Sequence, residues 1–68
     1  MIIHVNGETR ELTPPVRLVD VLPRAEGGVA PRGVAIAVDG EVVPRSRQAD
    51  TLLSEGARVE IVTAVQGG

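Results

Sequence analysis

Hydrophobic and polar residues alternate from the first position. Met1, Ile3 and Val5 fall on one face of an extended chain, with Ile2 and His4 on the other, and this period of two predicts a strand. Asn6-Gly7 follows, and both residue types accept positive φ, so the pair predicts a tight hairpin turn. The return strand, ETREL, is less regular. A two-residue turn sets Arg10 beside Ile3 and Leu12 beside Met1, which makes Arg10 a rim residue unless the turn is longer. TPP then interrupts the ladder, because proline has no N–H to donate. In VRLVDVLPRAE the apolar positions Leu18, Val21, Leu22 and Ala25 are spaced by threes and fours. That spacing predicts a short helix from near Arg17, frayed or kinked at Pro23 and ended by Gly27-Gly28.

The second half repeats the hairpin signal. VAIAV, residues 34–38, is a short continuous apolar run, and such a run predicts a strand covered on both faces. Asp39-Gly40 is a second tight-turn pair, EVV pairs back, and Pro44 marks an edge or a stop. RSRQADTLLSEG reads as a loop with at most one helical turn. ARVEIVTAV alternates most regularly of all, with Val59, Ile61, Thr63 and Val65 on one face and Arg58, Glu60, Val62 and Ala64 on the other. A leading hairpin, one helix and a long final strand predict an α+β fold, a mixed sheet of four to five strands over one short helix. The first and last strands are expected to be neighbours.

Composition narrows what such a fold could do. The chain has 68 residues, one small domain, and a chain of this size buries only ~60% of the surface its unfolded form exposes. It has no Cys and one His, so neither a disulfide framework nor a Cys/His zinc site can be built. Phe, Tyr and Trp are absent, which leaves aliphatic packing, and a Val-rich core favours sheet. The net charge of -2 supplies no basic footprint for nucleic acid. No apolar run approaches the ~20 residues of a membrane span. MIIHV lacks the basic region and long apolar core of a secretory leader, so a soluble, cytoplasmic chain is expected.

Candidate catalytic groups are sparse. All seven basic residues are Arg, so no lysine nucleophile exists. His4 reads as a partly exposed strand residue. Ser46, Thr51 and Ser54 read as turn and capping residues. The acids are scattered singly, with no calcium-loop spacing. Gly27-Gly28 lacks both the GxGxxG spacing and a following GK[ST] of a phosphate loop. Arg32, Arg45 and Arg47 form a loose basic cluster that reads as solvated, or as a docking patch for an acidic partner. No enzyme activity is expected.

The remaining feature is AVQGG, which directly follows the strongest strand. At ~3.3 Å per residue, Gln66 to Gly68 extends about 10 Å. Without Cβ atoms, Gly67-Gly68 can enter a narrow channel and take any backbone angle. The reactive group such a thread delivers is the Gly68 carboxylate, which ATP can activate as an acyl-adenylate for attack by a sulfur nucleophile. The expected organisation is a folded domain over residues 1–65 and a flexible reactive tail over 66–68.

Three segments carry a family resemblance: VNGE (Val5 to Glu8), VAIAVDGEVVPRS (Val34 to Ser46) and TLLSEGARVEIVTAVQGG (Thr51 to Gly68). With the short helix they cover nearly the whole chain. The sequence resembles the ThiS family, small sulfur carriers of thiamin thiazole biosynthesis with the ubiquitin-like β-grasp fold. It departs at Gln48, in a region where an aromatic residue is frequent, at Ala57, where Asp is common, and at Pro23, where a helix former is usual. None of these lies at the reactive end. The resemblance implies a protein co-substrate that binds no cofactor. A ThiF-like adenylyltransferase would use ATP and magnesium to adenylate Gly68, a persulfide donor would supply sulfur, and a thiazole synthase (ThiG-like) would accept it from the Gly68 thiocarboxylate. Gly67 would provide clearance, and Val65 and Gln66 would set how the tail leaves the sheet. Partner recognition would fall on the exposed side of the sheet near the last strand. The alternatives are the small subunit of molybdopterin synthase, a β-grasp sulfur carrier of another pathway, and, from a different class, a β-grasp interaction module without tail chemistry.

Overall fold

The computed structural model describes residues 1–22 and 32–63. Strand β1 (Ile2–Val5) turns at Asn6-Gly7 into β2 (Glu8–Glu11), pairing Ile3 with Arg10 and Val5 with Glu8. Asn6 at φ 50 and Gly7 at φ 81 both occupy the left-handed region that a two-residue hairpin turn requires. The Leu12 N–H donates to the Met1 carbonyl at 2.8 Å, so the tight register holds and Arg10 is the exposed rim residue.

The segment expected to be helical from Arg17 is different. Val16–Arg17 forms β3, Leu18–Val21 forms a single 3-10 turn, and Leu22 is extended at φ -89, ψ 131. Two local causes act. The Asp20 carboxylate accepts the Arg17 N–H at 2.8 Å, which closes a tight turn. Leu22 precedes Pro23, whose ring disfavours the α conformation in the residue before it. Leu18, Val21 and Leu22 are nonetheless buried, as their spacing required. Ala25 and Gly27-Gly28 lie outside the described residues.

Strand β4 (Val34–Val38) turns at Asp39-Gly40 into β5 (Glu41–Val42). One helical turn, α1 (Arg45–Gln48), follows Pro44, and then β6 (Leu52–Leu53) pairs with β3, Val16 opposite Leu53. The long final strand β7 (Arg58–Thr63) lies between β1 and β4, parallel to the first and antiparallel to the second. The sheet order is therefore β2-β1-β7-β4-β5, with the first and last strands adjacent.

Ile3, Val5, Ile36 and Val59 on one sheet face pack with Val16, Leu18, Val21, Leu22, Leu53 and Ala57 as the core. Gln48 joins this interior at 2% exposure, its Nε2 donating to the Val43 carbonyl at 3.1 Å. A buried amide is tolerated because it is hydrogen-bonded. The apolar run of β4 is covered unequally on its two faces: Ile36 is buried, whereas Ala37 is half-buried and Ala35 is exposed. Alanine reads as apolar in sequence yet tolerates water, so the run overstated the burial.

Candidate functional site

Val65, Gln66, Gly67 and Gly68 lie outside the described residues, as does the expected boundary at 65/66. What the structure establishes is the platform that leads to them. β7 is the central strand, and Thr63, its last residue, stands opposite Val34. Five positions separate Thr63 from Gly68.

β7 is gripped from both sides. Toward β4, Ile61 stands opposite Ile36 and Val62 opposite Ala35. Toward β1, the His4 N–H donates to the Ala57 carbonyl at 2.9 Å and the Asn6 N–H to the Val59 carbonyl at 2.8 Å. The Asn6 side chain adds two bonds to Ile61: Oδ1 accepts the Ile61 N–H at 2.7 Å and Nδ2 donates to the Ile61 carbonyl at 3.2 Å. The sequence pattern marks Asn6 only as a turn residue. Nothing local signals a partner 55 positions away.

The face of the sheet opposite the core carries Ala35, Ala37, Val42 and Val62, adjacent in register, with Val42 at 72% and Val62 at 59% exposure. Glu60, opposite Ala37, and Arg58, opposite His4, continue the same face. An apolar centre beside charged residues on an exposed sheet face suits a protein partner.

The other candidates occupy strand, turn and helix positions. His4 is half-buried and its Nδ1 shares a 3.3 Å hydrogen bond with Thr9 Oγ1. The Thr51 hydroxyl donates to the Arg47 carbonyl at 2.7 Å, closing the helical turn, and the Ser54 carbonyl accepts the Ala57 N–H across the turn before β7. Arg45 and Arg47 are exposed on α1, and Arg32 is exposed before β4. No group of three or more His, Cys, Asp or Glu side chains placed to hold a metal occurs among the described residues. No helix among them is long and apolar enough to cross a membrane.

Topology and platform together define a β-grasp domain that presents its last strand at the centre of the sheet. The ThiS family model matches residues 3–68, and the chain belongs to the ThiS family, whose members are small sulfur carriers. Among solved structures, the thiamine biosynthesis protein (ThiS) from Geobacter metallireducens superposes with a TM-score of 0.76 at 23% identity, covering 100% of both chains. That likeness shows the fold. A search of curated protein sequences finds no match.

Proposed function

We propose that this chain is the sulfur carrier of thiamin thiazole synthesis and that the Gly68 carboxylate is its reactive group. The observation that carries the reading is the family match, which runs through the VQGG end to residue 68. The placement of β7 supports it, because a strand held on both sides gives the following segment a rigid base. A ThiF-like adenylyltransferase binds ATP and magnesium, and the Gly68 carboxylate attacks the α-phosphate to give the acyl-adenylate and pyrophosphate. A persulfide donor displaces AMP, and a thiol then cleaves the S–S bond, leaving the terminal sulfur on Gly68 as a thiocarboxylate. A ThiG-like thiazole synthase takes that sulfur. Gly67 gives clearance in the partner's channel, with Val65 and Gln66 between it and the sheet. The chain itself supplies the acyl group and the docking face around Ala35, Ala37, Val42 and Val62, and it catalyses no step.

The test is the intact mass of the chain before and after incubation with a ThiF-like enzyme, ATP, magnesium and a persulfide source. The expected gain matches exchange of one oxygen for one sulfur, located in the C-terminal peptide. Deletion of Gly68 abolishes the gain while the far-UV circular dichroism and melting curve stay as in the parent. Sulfur gain by the deleted chain would overturn the assignment of Gly68. No gain by the parent, alongside an enzyme active on its own carrier, would favour an interaction module. Presenting the thiocarboxylate form separately to thiazole synthase and to the large subunit of molybdopterin synthase tests the pathway, with transfer expected to the first.

A further inference from the structure

Both tight turns open on a residue whose side chain reaches β7. At Asp39, φ 51, the main-chain N–H donates to the Arg58 carbonyl at 2.8 Å and Oδ1 accepts the Arg58 N–H at 3.0 Å. At Asn6 the main-chain N–H donates to the Val59 carbonyl, while the side-chain amide both accepts from and donates to Ile61. In a continuing parallel pair, the carbonyl of residue 6 would accept the Ile61 N–H, and the N–H of residue 8 would donate to the Ile61 carbonyl. The chain has turned away at Gly7, so neither main-chain group is available there. A carboxamide carries an acceptor oxygen and N–H donors on one planar group, like a peptide unit. The Asn6 side chain thus stands in for the missing strand and extends the grip on β7 by one further residue pair.

We infer that Asn6 is a positioning residue for the reactive tail. This rests on the carrier reading above. Among the described residues, Ile61 is the last of β7 held by a hydrogen bond from the β1 side, and Gly68 lies seven positions beyond it. β4 holds the opposite edge through Ile61, Val62 and Thr63. With both edges held as far as Ile61 and the β4 edge as far as Thr63, β7 is a fixed base for the tail, which raises the fraction of docked carriers that present Gly68 to ATP. The turn alone does not demand asparagine. Asp-Gly and Gly-Gly form the same type of turn, yet Asp offers only an acceptor and Gly neither group. A graded series with an unchanged turn is therefore available.

The experiment uses the full chain and a ThiF-like enzyme. It reads Ile61 amide exchange by NMR, and kcat and KM for pyrophosphate release at varied carrier concentration. Asn6→Gly is expected to speed Ile61 exchange about tenfold and to lower kcat about three- to tenfold, with KM within about twofold, because docking is left intact. Asn6→Asp, which keeps the acceptor, falls between. Asp39→Gly removes the corresponding bond from Arg58, at the end of β7 remote from the tail, and is expected to lower the melting temperature to a similar degree at unchanged kcat. Parental kcat in Asn6→Gly would overturn the inference, and so would an equal loss in Asp39→Gly, which would assign the effect to stability. If Asn6→Gly does not fold, Asn6→Asp carries the same comparison. A parent chain that is not adenylated at all sinks the carrier reading and this inference with it, whereas an adenylated parent with an indifferent Asn6→Gly sinks this inference alone.

Discussion

Val59 and Val62 lie three positions apart on β7 and face opposite sides of the sheet. Val59 is 1% exposed and Val62 is 59% exposed. The same substitution, valine to alanine, removes the same two carbons at each. At Val59 those carbons touch the core, so the loss is the transfer term plus a cavity term, about 2–3 kcal/mol in all. At Val62 about two fifths of the residue is covered, no cavity forms, and the transfer term shrinks to about 0.5 kcal/mol. For a domain of this length, at 0.05–0.15 kcal/mol per residue, the total stability is about 3–10 kcal/mol. Val59→Ala therefore removes a large share of it. In a domain this small each kcal/mol shifts the midpoint by about 4–8 °C, so the expected drops are roughly 10–20 °C for Val59→Ala and 2–4 °C for Val62→Ala. The chain has no Trp or Tyr, so the melt is followed by far-UV circular dichroism and not by intrinsic fluorescence. Function is expected to invert the order. Folded Val59→Ala keeps its docking face, whereas Val62→Ala raises KM for adenylation about five- to tenfold if it anchors the partner. Equal drops in melting temperature would refute the assignment of the two faces. An unchanged KM in Val62→Ala would remove this residue from the docking surface.

Gln48→Ala is expected to cost roughly 2–4 kcal/mol in a denaturant melt, since it empties a buried site and leaves the Val43 carbonyl without that donor. Gly40→Ala is expected to cost about 1 kcal/mol, for conformation alone: φ is +86 there, yet a Cβ would meet nothing within 4 Å. Gly67→Val is expected to leave the melting curve unchanged and to slow adenylation by about tenfold or more, read as pyrophosphate release, because a branched side chain then has to enter the partner's channel.

Where structure followed from neighbours in the chain, it was legible. Asn6-Gly7 and Asp39-Gly40 declare their turns through residue types that tolerate positive φ, and a two-residue turn then dictates that Ile3 meets Arg10. The alternation from Arg58 to Thr63 sorts Val59 to the core and Val62 to solvent. Even the break at Leu22 had its local cause in Pro23, although the helical spacing of Leu18, Val21 and Leu22 obscured it.

Tertiary structure decided the rest, through partners distant in sequence. Val16–Arg17 is strand and not helix because Leu52–Leu53 supplies a ladder from 35 or more positions away. Ala35 became surface because none of the described residues covers it on that face of β4, a fact that its apolar type could not signal. Gln48, polar by type, became core because the Val43 carbonyl was within reach of its amide. Asn6 gained its second role in the same way. As a turn former it answers to Gly7 beside it, but its hold on Ile61 exists only once folding has laid β7 alongside β1. Local steric preference and periodicity are properties of the chain, whereas a hydrogen bond across 55 positions is a property of the fold.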